Sequence, residues 1–232
     1  GTPVCFFSLE MRDTQLSDRL LIGRSNVDAN AYRAGSITSE VWETLERVEA
    51  ELAALPIHIS DRPATSMTQI RAQCRRMHRR SKCGMVVIDY LQLLDGDDRQ
   101  QSREREVANM SRAAKQLAKE LDIPVIILAQ LSRKVEERPD KTPLLSDLRE
   151  SGAIEQDADM VLFIMRPEYY GIQSIETGRY GTISSHGVGR FIIAKQRDGR
   201  TGEVCFRFNR SVTSLTDYDG PEEPQDADPG PF

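Results

Sequence analysis

Three apolar runs in this 232-residue chain each end in one polar side chain: residues 4–9 run into Glu10, 85–88 into Asp89, and 125–129 into Gln130. Continuous runs of about four to eight residues rich in Val, Ile and Phe read as strands buried on both faces of a parallel sheet. Ligands of such sheets sit beyond the carboxyl ends of the strands, where these two acids and this amide would point. Any one of the three alone reads more readily as a solvated strand end, but three separated by helical crossovers form a pattern. A carboxylate pair and an amide at one sheet edge suit a metal-bound phosphate and an attacking water. Asp89 would position magnesium directly or through a water, and Glu10 would orient and partly deprotonate the water that attacks a γ-phosphate. Gln130, which can usefully take no proton, would bond the terminal phosphate and pass its loss to the segment that follows.

A basic pair, Lys195 and Arg197, stands two residues apart at the end of a further strand. Period-2 geometry sends both to one face just before the turn at Asp198 and Gly199. The pair reads either as a solubilising hairpin tip or as a basic finger offered to a neighbouring subunit's nucleotide. In the second role an arginine contributes about 10³ to 10⁵ in rate.

The elements that must position these residues follow from hydrophobic spacing. Asp13 or Thr14 caps a helix with Leu16, Leu20 and Leu21 as its stripe, and Thr38 opens another with Val41, Trp42, Leu45, Val48 and Leu52. Residues 57–59 form a short strand. Thr68 caps a helix with Ile70, Cys74 and Met77 inward and Arg71, Arg75, Arg76, Arg79 and Arg80 around the rest, a run read as a solvated face or subunit contact before a nucleic-acid contact. A polar loop at 96–102 leads to a long helix carrying Val107, Met110, Ala114, Leu117 and Leu121. Alternating strands and helices give an α/β fold with a mostly parallel sheet flanked by helices. A strand at 160–165, a loop at 171–189 expected to be mobile, and a closing β-hairpin at 188–194 and 203–208 complete the order.

Composition narrows the class. The length suits one domain with a substantial core. No apolar stretch approaches a membrane span and no basic-then-apolar leader opens the chain, so a soluble, cytoplasmic protein is expected. Cys5, Cys74, Cys83 and Cys205 show no CxxC spacing and read as reduced and structural, and the three histidines lack ligand spacing. The net charge is −5, but residues 217–232 hold six acids and no Lys or Arg, which leaves the body at +1. That tail, rich in Pro and Gly, is expected to be disordered, with 1–216 as the folded domain. A near-neutral body requires any nucleic-acid surface to be local.

Several stretches together resemble the C-terminal motor domain of the DnaB-type replicative DNA helicases, a hexameric branch of the RecA-like ATPases. They are FFSLEM at 6–11, VIDYLQL at 87–93, QLSR at 130–133, DLRESGAIEQDAD at 147–159 and AKQR at 194–197. The fourth is highly specific, whereas an aspartate-tipped strand would fit any P-loop ATPase. The resemblance implies a RecA-like fold, ATP and Mg2+ as cofactors, and a homo-hexamer on single-stranded DNA in a nucleoid-associated setting, with primase and helicase loader as partners. It implies that Glu10 is the catalytic glutamate, Asp89 the magnesium-strand aspartate, Gln130 the γ-phosphate sensor, and Lys195 and Arg197 a finger acting in trans. It also implies that Arg149, Glu150 and Gly152 lie in a channel loop holding the DNA backbone, although a folded connection capped by Asp147 is the plain alternative.

The family's phosphate-binding loop, GxxxxGK[ST], does not occur in the sequence, and no Gly-Lys pair exists. The P-loop strand and helix, with an N-terminal collar, are therefore expected ahead of Gly1 in the full polypeptide. The missing strand is expected to be internal, so that apolar edges stand open beside the first strands. The alternatives are a non-catalytic relative acting as a ring-assembly or DNA-binding module, and another RecA-like ATPase, which would lack the 147–159 run.

Overall fold

The computed structural model describes residues 1–96 and 102–220, with the backbone alone for 149–151. Most of the loop expected at 96–102 and the acidic stretch from 221 onward lie outside the described residues.

Four parallel strands, β1 (Val4–Ser8), β2 (Ile57–Ser60), β3 (Met85–Asp89) and β4 (Val125–Ile127), pair in the order β2-β1-β3-β4. Between them run α1 (Asp13–Ser25), α2 (Ala29–Ala34), α3 (Ser39–Ala53), α4 (Met67–His78) and α5 (Arg103–Leu121). The core forms where α4 and α5 meet one sheet face: Cys5, Phe7, Val86 and Ile88 pack against Ile70, Cys74, Val107, Met110, Ala114 and Leu117. The 3- and 4-residue spacing of the α5 set puts those side chains on one stripe. Arg71 and Arg75 of α4 both reach Glu120 of α5, so part of the arginine-rich face serves helix packing.

Several local expectations are corrected. The strands are not buried on both faces: Phe6 and Val87 on the second face are half-buried, and Ile126 of β4 is 47% exposed. Ser66, not Thr68, precedes α4, because Gln69 then stands three residues on and its side chain accepts the Ser66 N–H at 3.1 Å. Asp28 caps the unanticipated α2 by accepting from the N–H groups of Asn30 and Ala31. In α1 the buried residue is Ile22, with Leu20 exposed, and in α3 Leu45 and Val48 are buried while Trp42 stands out. α1 and α3 pack on each other, and each apolar stripe is covered only in part.

Beyond β4 come 3-10 turns, then α6 (Gly152–Asp157) and β5 (Met160–Met165). A hairpin of β6 (Ser174–Thr177) and β7 (Gly181–Ser184) replaces the mobile loop expected at 171–189. Its inward Ile175 and Ile183 join Val188 and Tyr218 in a small core, and the Thr177 hydroxyl donates to the Gly181 carbonyl across the turn. Then β8 (Val188–Gln196), β9 (Gly202–Asn209) and β10 (Ser214–Asp217) form an antiparallel sheet in the order β10-β9-β8-β5. The closing hairpin is where the sequence put it, with β10 added. Asp217 ends that sheet and Tyr218 is buried, so the folded body passes the expected boundary at 216.

The expectation of open edges beside the first strands is also corrected. β1 is paired on both sides, by β2 and β3; the outer strands are β2 and β4 in one sheet and β10 and β5 in the other, and of these β4 and β5 carry most of the large exposed apolar side chains. Near those edges Ile126, Leu128, Met160, Leu162 and Ile164 are exposed. Among the described residues, no helix is long and apolar enough to cross a membrane.

Candidate active site

Strand pairing decides which polar tips share an edge. Ser8 lies opposite Asp89, and the Leu9 N–H donates to the Asp89 carbonyl at 2.7 Å, so Glu10 emerges directly beside Asp89. Ile88 lies opposite Ile127, and the Leu128 N–H donates to the Ile88 carbonyl, which carries the chain toward Gln130 on the other side of β3. The three tips thus leave adjacent parallel strands at the same carboxyl edge, with Asp89 in the middle. Glu10 and Gln130 are exposed, whereas Asp89 is half-buried.

The electrostatics of Asp89 follow from that position. Burial raises its carboxyl above the ordinary aspartate range, the neighbouring charge of Glu10 raises it further, and Arg19 of α1 partly offsets both. A half-buried carboxylate repelled by a second one is an environment that a hard divalent cation relieves, so the donor chemistry fits Mg2+ held by one or two carboxylates and waters. Among the described residues there is no cluster of three or more His, Cys, Asp or Glu side chains able to hold a metal by themselves.

Two residues near these tips carry no signal that the sequence reading used. Arg19 sits on an exposed helical position and acts on Asp89 only through the tertiary fold. Gln92 lies on the 3-10 turn Leu91–Leu93 directly after β3 and bonds the backbone of Gln130 twice. The VIDYLQL run contains it, but nothing in spacing tells which glutamine grips which strand.

Lys195 and Arg197 stand apart from this edge, in the antiparallel sheet. The Lys195 ammonium donates to the carbonyls of Glu155 and Gln156 at the end of α6, at 2.5 and 3.4 Å. Arg197 pairs with Asp159 at 2.7 Å and its N–H donates to the Asp159 carbonyl, while Lys115 of α5 shares the same carboxylate. Both side chains are therefore engaged within the chain and do not project freely from a hairpin tip. The hydrogen bond from Lys115 and the nearby charges of Lys115, Arg197 and Lys195 hold the Asp159 carboxyl below the ordinary range.

The segment containing Arg149, Glu150 and Gly152 spans the 3-10 turn Leu145–Ser151 and the first residue of α6. It is anchored from behind. Asp147, 5% exposed, accepts the Leu144 N–H at 2.7 Å and takes both guanidinium nitrogens of Arg138. Leu148 is buried with Val161 and Phe163 of β5. Gly152 is exposed, and a side chain there would meet nothing within 4 Å. The connection is folded and capped by Asp147, yet it turns an open backbone outward.

The cysteines are free, and Cys5, Cys74 and Cys83 are buried together. Burial pushes the Cys5 thiol up to about 12, which keeps it protonated and inert.

Comparison with known proteins gives one consistent answer. The family model described as "DnaB-like helicase C terminal domain" matches residues 1–217. The replicative DNA helicase DnaB of Geobacillus stearothermophilus is 43% identical over 217 residues, 93% of this chain and 46% of the relative. The replicative DNA helicase DnaC of Bacillus subtilis strain 168 is 42% identical over the same share of each. A DnaB-like replicative helicase, solved in a study of its interactions with primase, superposes with a TM-score of 0.84 at 36% identity, covering 94% of this chain and 51% of that one. A separately solved ATPase domain gives 0.85, also at 36% identity, covering 94% and 75%. The chain thus spans about half the length of the curated relatives it matches.

Proposed function

The chain belongs to the DnaB-like helicase C-terminal domain family, and from that premise we propose that its full polypeptide is an ATP-dependent replicative DNA helicase, a homo-hexamer that moves along one DNA strand and separates the duplex. The observation that carries this reading is the exit of Glu10, Asp89 and Gln130 from three adjacent parallel strands at one edge. Glu10 is the general base that orients and activates the attacking water. Asp89 would hold Mg2+, directly or through a water, and the ion would supply positive charge to offset that of the phosphates. Gln130 bonds the γ-phosphate and changes state when it leaves.

Lys195 and Arg197 complete a neighbouring subunit's site, exchanging their internal partners for phosphate oxygens. Arg149, Glu150 and Gly152 present the channel surface. Backbone amides and a guanidinium grip phosphates in any sequence, as an unwinding motor requires. A primase as partner is supported by the DnaB-like relative solved in that context. A helicase loader and a cytoplasmic, nucleoid-associated setting follow from the same reading. The motor body extends through Tyr218, two residues past the expected boundary, and an acidic extension follows it.

The test is Glu10→Gln in the full-length protein. ATP affinity should change less than about threefold, while turnover falls about 10²- to 10⁴-fold and unwinding is lost with it. Strand separation at the parent rate would remove Glu10 from the mechanism.

A further inference from the structure

The β3–β4 ladder stops at the pair Ile88 and Ile127, three residues short of Gln130. Backbone bonds carry it one residue further, through the N–H and carbonyl of Leu128, and beyond that a side chain takes over. The Gln92 amide nitrogen donates to the Gln130 carbonyl at 3.2 Å, and the Gln92 amide oxygen accepts the Gln130 N–H at 3.2 Å. A primary amide has a donor and an acceptor side by side, so it can mimic the peptide group of a neighbouring strand. Gln92 is itself held firmly. Leu91 beside it is fully buried and donates its N–H to the Leu128 carbonyl at 2.9 Å, and Arg103 of α5 donates to the Gln92 carbonyl. Two residues past Gln130, the Ser132 N–H donates to the Asp147 carbonyl at 3.1 Å, at the root of the turn that carries Arg149 and Glu150.

We infer that Gln92 is the positioning residue for Gln130: its amide fixes the backbone from which the γ-phosphate contact is made. It thereby ties the Asp89 strand to the segment leading to the DNA loop. The inference rests on the role proposed above for Gln130 and adds the residue that transmits it. A carboxylate at position 92 would keep one acceptor but set a charged oxygen against the Gln130 carbonyl. An alkyl thioether of similar length would offer neither bond. Both changes spare the strand tips and the Leu91 anchor.

The experiment compares Gln92→Met and Gln92→Glu with Gln130→Ala in the full-length hexamer, using ATP and a single-stranded oligonucleotide. For both Gln92 variants the expected result is an intact ring, ATP affinity within about twofold of the parent, and kcat in the presence of DNA reduced about tenfold, with unwinding reduced in parallel. Combining Gln92→Met with Gln130→Ala should cost no more than Gln130→Ala alone, because the two act as one unit. Parent-like DNA-stimulated kcat in Gln92→Met overturns the inference, as does ATP affinity that falls together with kcat, or a fully additive double variant. If Gln130→Ala itself turns over and unwinds like the parent, the sensor role fails first. An impaired Gln130→Ala beside an unimpaired Gln92→Met removes only the positioning role.

Discussion

Asp89 illustrates a conflict between stability and chemistry within one side chain. Its carboxyl is raised above the ordinary value of 3.8 by burial and by Glu10, so ionisation costs the folded state more than the unfolded one. The penalty is absent below the unfolded pKa, grows as pH rises from there toward the folded value, and is fully present at neutral pH. Asp89→Asn should therefore melt at or above the parent temperature at about pH 7.5, by roughly 1–3 °C. The gap should close below about pH 3.8, the value the carboxyl has when unperturbed. Hydrolysis by the full-length variant should be lost at the same time. Melting curves with pH decide it, and an Asn variant less stable than the parent at neutral pH would show that Asp89 makes net favourable contacts when charged.

Pairs of elements are held by more than the apolar core. Glu120 of α5 receives Arg71 and Arg75 of α4, and these hydrogen bonds, that of Arg75 foremost, bring its carboxyl down to about 2. A depressed carboxylate adds stability above its unfolded pKa and loses it as pH falls through the folded value. Glu120→Gln should accordingly lower the unfolding midpoint at neutral pH, with the difference from the parent closing between about pH 4.5 and 2. A gap that persists unchanged at the acid end of that range would assign the effect to packing. The short α6 works at the same scale. One end begins at Gly152 and the other offers the carbonyls that hold Lys195, so a single six-residue helix links the proposed DNA loop to the proposed trans finger.

At the scale of the molecule the dominant feature is a pair of outer strands with exposed apolar side chains. β4 and β5 end their respective sheets, and Ile126, Leu128, Met160, Leu162 and Ile164 stand exposed near them. Exposed apolar strand edges bind dyes and other strands. The 232-residue chain by itself should therefore enhance the fluorescence of a hydrophobic dye and self-associate with concentration. It should also fail to bind a fluorescent ATP analogue, because no GxxxxGK[ST] loop is present to cradle the phosphates. Saturable binding at micromolar analogue would show that the edge of Glu10, Asp89 and Gln130 suffices alone.

Much of this was legible in the sequence. Apolar runs of strand length ending in Glu10, Asp89 and Gln130, and the helical spacing of Val107, Met110, Ala114 and Leu117, depend only on local periodicity, and the matching elements formed. The β6–β7 hairpin was missed because a Gly- and Ser-rich stretch looks like a loop until Ile175 and Ile183 find Val188 and Tyr218, the latter far along the chain. The open edges at β4 and β5, the field of Arg19 on Asp89 and the grip of Gln92 on Gln130 were decided by tertiary structure alone. Strand order and side-chain reach depend on which distant segments pack together, and periodicity reports only which face of each segment seeks burial.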